Sequence, residues 1–178
     1  QDYGSAQTGQ PTLENKAAAD VPPPTPAPAN ALEIGPQIAG GIREEGVIEV
    51  TTDTYKAHIS LRGGSIVSLD LLKFPVSLKE DKTVRMLSND PQALYIAQGG
   101  LLSSNPAPTH DSLFTSPNHV FVMDPGAESL EVPLYWESGD GVTVKKTYKF
   151  LKSRYLITVQ YEVMNNSNSP WSGAAYGQ

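Results

Sequence analysis

The sequence predicts an all-β fold, an antiparallel β-sandwich, and three observations carry it. Several segments alternate apolar and polar residues with a period of two. Gly, Asn, Asp and Pro punctuate them at close spacing. No amphipathic stretch long enough for a three-turn helix occurs. The clearest alternation runs from Arg154 to Asn166, where Tyr155, Ile157, Val159, Tyr161 and Val163 take one face and Thr158, Gln160 and Glu162 the other. At about 3.4 Å per residue such a strand reaches roughly 40 Å, and a strand with one wet face needs a broad sheet to bury its other face.

The 178 residues suffice for one domain with a real core, but the composition divides them. Residues 1–45 hold seven of the 15 prolines and a single aromatic, Tyr3. Such a stretch cannot bury enough apolar surface to offset the entropy of ordering it. Pro22 to Pro28 reads as a polyproline spacer, so residues 1–45 are expected to be a flexible, disordered Pro/Ala-rich tether and residues 46–178 the folded unit. Of the formal charge of −6, the tether carries −4 (six acidic, two basic) and the folded unit −2 (13 acidic, 11 basic). A nearly balanced, slightly acidic domain gives no electrostatic footing for nucleic acid. Zero cysteines exclude disulfides and thiolate metal sites, and no run approaches the ~18 apolar residues of a membrane helix. A linker at the start and an end at Tyr176-Gly177-Gln178 read as a piece of something longer.

Within the folded unit, Val47 to Thr52 is a β-branched strand. Thr54 to Leu61 follows, with Tyr55, Ala57, Ile59 and Leu61 inward. Arg62-Gly63-Gly64-Ser65 forms a hairpin turn into Ile66 to Leu72, whose Val67, Leu69 and Leu71 are expected on the core side. Lys73 to Pro91 reads as irregular, with at most a short strand at Val84 to Leu87. Ala93 to Ala97 is an expected strand, Leu113-Phe114 and Val120 to Met123 are short ones, and Ser103 to His110 is a proline-bearing loop. Ser129 to Glu137 places Leu130, Val132, Leu134 and Trp136 on one face, and Pro133 assigns it to an edge. Ser138-Gly139-Asp140-Gly141 turns into Val142 to Lys152, an apolar line interrupted by Lys146. Trp171 to Gly177 begins another strand.

A search for chemistry leaves nothing assembled. His58 stands alone on a polar strand face, and His110-Asp111 and His119 flank a loop, short of the three or four converging ligands zinc requires. Ser103, Ser104 and Ser112 lie in no nucleophile motif, and neither Gly63-Gly64 nor Gly99-Gly100 opens a phosphate-binding helix. Glu131, Glu137 and Glu162 occupy solvated strand faces; Trp136 and Trp171 could stack on a sugar ring, although Trp136 continues the core face of Leu130, Val132 and Leu134. Lys145, Lys146, Lys149 and Lys152 cluster in sequence, but alternation splits them between two faces. Asn165-Asn166-Ser167 fits a glycosylation acceptor and equally an ordinary turn. No catalytic, metal or cofactor residue is assigned.

The order of segments nevertheless resembles a known family. Val50 to Leu72 with its Arg62-Gly63-Gly64 turn, Tyr95-Ile96-Ala97-Gln98-Gly99-Gly100-Leu101, Leu130 to Leu134, Lys146-Thr147-Tyr148-Lys149-Phe150, Arg154 to Asn165 and Tyr176-Gly177-Gln178 follow the pattern of the YidC periplasmic domain. The resemblance covers residues 46–178 and rests on the ordered set, since no single motif is specific. It implies a β-supersandwich of the galactose mutarotase type, here incomplete, with only its first part present. It also implies a non-enzymatic role without cofactors in membrane protein insertion and folding, as a scaffold or docking surface. The implied partners are SecDF and the Sec translocon, with inserting membrane proteins reached through the whole protein. That protein is embedded in the bacterial inner membrane, while this segment is soluble in the periplasm. A carbohydrate-binding or aldose-epimerase-like domain is the alternative that the same fold suggests. A half sandwich should expose apolar faces and edges where the rest would pack.

Overall fold

A computed structural model describes residues 46–178, and the tether expected over residues 1–45 lies outside the described residues. Ten strands follow in order: β1 (Val47–Thr51), β2 (Tyr55–Ser60), β3 (Ser65–Ser77), β4 (Glu80–Leu87), β5 (Gly99–Ser103), β6 (Val120–Val122), β7 (Ser129–Glu137), β8 (Val142–Leu151), β9 (Ile157–Asn165) and β10 (Gly173–Gly177). They form a five-stranded sheet in the order β4-β3-β2-β1-β6, a three-stranded sheet β7-β8-β9 and a two-stranded pair β10-β5. All pairings are antiparallel except β1 with β6, which run parallel. The all-β sandwich expected from the alternation is the fold found.

The five- and three-stranded sheets bury their apolar faces against each other. Ile48, Val50, Tyr55, Ala57, Ile59, Ile66 and Leu69 from the first meet Val132, Leu134, Tyr148 and Phe150 from the second, with Phe114 and Met123 between strands. Each such side chain contributes about 1.5–3 kcal/mol by leaving water. A smaller cluster of Leu101, Val142 and Val144, with Trp136, Tyr161, Val163 and Trp171 half-buried around it, fastens the β5-β10 pair to the other end of the three-stranded sheet.

Several local readings are corrected. The hairpin of β2 and β3 carries a bulge: Ile59 pairs with Ile66 but His58 pairs with Ser68. Val67, expected on the core side, is therefore the extra residue, and Ile66 instead joins the main core beside Leu69. Lys73 to Leu87, expected irregular apart from a short strand at Val84 to Leu87, is a long hairpin of β3 and β4. Pro75 is tolerated there because β2 ends at Tyr55, opposite Leu71, so beyond that point β3 pairs with β4 alone and one edge needs no donor. Ala93 to Ala97 is not a strand; it makes single bridges, Tyr95 to Ser88 and Ala97 to Ile66. The latter takes the edge of β3 that β4 leaves free past Leu87.

Leu113-Phe114 likewise makes only an isolated bridge, Arg62 to Leu113. Pro133 does sit in an edge strand, and the loop at Thr115 covers that edge through paired backbone bonds to Tyr135 of 2.9 and 2.8 Å. The long strand begins at Ile157 rather than Arg154, because Ser153 turns the chain with φ of 55°. Asp53, in the β1–β2 turn, holds that turn by accepting from the Ser153 backbone N–H and hydroxyl and from Lys73. Those donors, the Ser153 N–H first, lower its carboxyl to about 2.

The Arg62–Ser65 turn depends on glycine for two separate reasons. Gly63 has φ of 69°, and a Cβ there would lie 2.0 Å from the His110 carbonyl oxygen. Gly139, in the β7–β8 turn, has φ of 82° but nothing within 4 Å. Gly139→Ala should therefore cost about 1 kcal/mol in urea unfolding, the left-handed backbone penalty alone. Gly63→Ala should cost at least about 2 kcal/mol more, since the loop carrying His110 must also move. Equal effects of the two substitutions would contradict this packing.

Candidate functional site

Alternation alone puts Lys146 among core residues, between Val144 and Tyr148 on the inner face of β8. The structure keeps it there. The residue is 1% exposed, and its Nζ donates to the carbonyl oxygens of Gly63 and Gly64 at 3.0 and 2.9 Å. Tyr148 Oη donates to the same Gly64 oxygen. Three rings surround the ammonium, Tyr148 at 5.2 Å, Tyr161 at 5.5 Å and Phe114 at 5.9 Å, within range for cation–π attraction. Burial lowers the Lys146 pKa to about 8, so it stays a cation at neutral pH. Burial also pushes the Tyr161 phenol up to about 12 and that of Tyr148 higher still.

This cation lies at the floor of an open cleft of about 880 Å³. Leu69, Leu71, Phe74 and Met86 form one wall, Tyr155, Ile157 and Val159 the other, and Tyr95, Ala97 and Tyr176 close one side. The five-stranded sheet covers β7 and β8 but leaves part of β9 open, so Val159 on the expected core face is 43% exposed. Tyr155 packs edge-on against Tyr55 and Phe74 at 5.7 and 5.6 Å. The cleft is an apolar surface with a single buried charge.

The other residues weighed from the sequence disperse. His110 meets Tyr176, with Nδ1 2.7 Å from Oη, and its Nε2 is 3.5 Å from Asp111. His119 lies exposed at the start of β6. His58 is not alone: Nδ1 lies 2.6 Å from Ser68 Oγ, and Nε2 lies 3.9 Å from Glu49. Ser103 donates to the Ser172 carbonyl and Ser112 accepts from the Thr109 N–H. Glu131 and Glu162 pair across strands with Lys149 and Lys145, while Lys152 donates to the Pro125 carbonyl. The lysine cluster thus dissolves into two surface ion pairs, a turn contact and one buried cation. Trp136 packs against both core clusters, and Trp171 donates its indole N–H to the Pro106 carbonyl at 3.1 Å. Asn165 closes its own turn with Ser167 and Ser169. Sequence reasoning passed over Lys146 as an interruption of an apolar line; a lysine at a core-facing position was the available signal.

A family model described as the YidC periplasmic domain matches residues 47–178. The chain belongs to the YidC periplasmic domain family. It is similar to the membrane protein insertase YidC of Coxiella burnetii (strain RSA 493 / Nine Mile phase I), 38% identical over 187 residues that cover 99% of this chain and 33% of that protein. Similarity extends to membrane protein insertase YidC of Thioalkalivibrio sulfidiphilus, 34% identical over 193 residues covering 99% and 34%. For that of Laribacter hongkongensis the identity is 37% over 161 residues, covering 90% and 29%. The chain spans about one third of the length of these YidC relatives. The YidC domain described by the family model is periplasmic, which places this segment in the periplasm. Among the described residues no helix is long and apolar enough to cross a membrane.

Lys146→Met removes the donor to Gly63 and keeps most of the side-chain volume, so urea unfolding should show a loss of about 1–3 kcal/mol at pH 7. The pH dependence has a definite sign. The unfolded lysine stays protonated up to its ordinary 10.5, whereas the folded one releases its proton near 8. Between those values the unfolded state binds more protons, so stability should rise with pH. From pH 8 to 10, below the range where the raised tyrosines act oppositely, the wild type should gain on the order of 1–2 kcal/mol relative to Lys146→Met. A flat difference across that window would show that Lys146 is not a buried cation.

Proposed function

We propose that this chain is the first part of the periplasmic domain of a membrane protein insertase, with residues 1–45 its linker and residues 46–178 its β-sandwich. In this reading the whole protein acts at the bacterial inner membrane on inserting membrane proteins. The segment serves it without catalysis or cofactors, as a scaffold and docking surface for the Sec translocon and SecDF periplasmic regions. The supporting observations are a family match over residues 47–178 and an open cleft of about 880 Å³ lined mainly by aliphatic and aromatic side chains. Phe74, Met86, Tyr155 and Val159 are 43–52% exposed along that cleft. In relatives about three times as long, further polypeptide is available to cover them.

The carbohydrate reading rests on the fold alone. Trp136 and Trp171, the two rings that could stack on a sugar, are both part-buried against the core clusters.

Two measurements test the proposal. Titrating the fluorescently labelled chain with the soluble periplasmic regions of SecDF should give saturable binding in the micromolar range typical of small transient interfaces. No binding at concentrations up to about 100 μM would overturn the docking role. Calorimetry against a panel of hexoses should show no saturable heat; stoichiometric binding of any one would replace this reading with the sugar-binding one.

A further inference from the structure

The Lys146 ammonium sits at the floor of the cleft with one donor unused. An ammonium carries three N–H groups, and two of them go to the Gly63 and Gly64 carbonyl oxygens. The third has only the faces of Tyr148, Tyr161 and Phe114 beside it. Among the described residues no carboxylate pairs with this cation. Tyr161 lines the same floor, and its hydroxyl has no hydrogen-bond partner among the described residues. The floor thus offers one N–H and one O–H.

Above it the cleft is shaped for a chain. Leu69, Leu71 and Phe74 form one wall, and Tyr155, Ile157 and Val159 form the other. Its volume of about 880 Å³ lies within the range of about 300–1,000 Å³ usual for small-molecule sites. Apolar walls with a few polar groups converging at one place are also the usual make-up of such sites.

We propose that this cleft binds a single-chain amphiphile ending in a carboxylate, a fatty acid. Its head sits at Lys146 and Tyr161 and its acyl chain lies between the two walls. Charge decides the head group. A buried cation without a counter-ion attracts an anion and repels a second cation, and a neutral head leaves that attraction unused. The two oxygens of a carboxylate match the two available donors. A phosphate would bring further charged oxygens into an apolar floor with no donor to meet them. The walls decide the tail, since every methylene that leaves water there adds to the affinity. Phe74 and Val159, 47% and 43% exposed, are wall residues that such a chain would cover. This ligand goes beyond the docking role and does not rest on it.

Calorimetric titration of the 178-residue chain at pH 7 with decanoate, octanoate, decanol and decylammonium, all below micelle formation, tests the site. Decanoate should bind one per chain with a Kd below about 100 μM, and octanoate more weakly. Decanol and decylammonium should each bind at least about tenfold more weakly than decanoate. Tyr161→Phe keeps the ring and removes only the hydroxyl, so it should weaken decanoate several-fold and leave decanol unchanged. Lys146→Met should erase the preference for decanoate over decanol, with far-UV circular dichroism reporting that the fold is kept. Val159→Gln, in the wall, should weaken both ligands, and Val122→Gln, on β6 outside the cleft, should weaken neither. Three results would each overturn the proposal: no saturable binding of decanoate up to about 1 mM, equal wild-type affinity for decanoate and decanol, or a preference that survives intact in Tyr161→Phe. The titration contains no protein partner, so failure here leaves the docking role standing, and failure of SecDF binding leaves this site standing.

Discussion

The contact between the Lys146 ammonium and the Gly63 and Gly64 carbonyls is the interaction on which the two main sheets depend for their relative placement. It joins the turn of one sheet to the central strand of the other. An amine taken out of water must recover its hydrogen bonds or lose its proton. Here two backbone carbonyls and three aromatic faces recover enough for it to remain charged at neutral pH, and no carboxylate takes part. A hydrophobic residue could fill the space but would leave Gly63 without that donor. A polar contact of this kind is also directional: it specifies which turn faces which strand, where apolar packing alone would accept several arrangements.

The glycines serve the same contact from the other side. With φ values of 69° and 55°, Gly63 and Gly64 turn their carbonyls toward Lys146 and Tyr148, and the absence of a Cβ lets the loop carrying His110 close over them. Gly63 donates its N–H to Ser112 at 2.7 Å, so this loop is tied to the same turn. One short turn thus gathers β2, β3, β8 and the loop beneath β7 into a single unit. The apolar cleft exists because that gathering stops at β8: the five-stranded sheet reaches over β8 but not over all of β9, and the aromatic residues along the gap remain in partial contact with water.

Much of this was legible beforehand because period-two alternation is a local property. β7, β8, β2 and the start of β3 were placed within a residue or two, and Pro133 announced its edge. The order of weak motifs also points to the YidC family, and a match over residues 47–178 agrees with it. The failures share one cause. The bulge at Val67, the extension of β3 through Pro75 and the reduction of Ala93 to Ala97 to single bridges all depend on which neighbouring edge is free. That information lies in strands distant along the chain.

By itself, then, the sequence determined the fold class, most strand positions, the lack of thiol chemistry and the family, since all of these follow from local composition, spacing and order. Only the tertiary structure decided that Lys146 is a buried cation rather than an interruption. Only it showed that four neighbouring lysines divide into two surface ion pairs, a turn contact and one buried cation, and that Glu49, His58 and Ser68 stand in one row. Side chains far apart in sequence meet through strand register. Register is set by bulges, edges and turns acting together, and no window of residues contains them all.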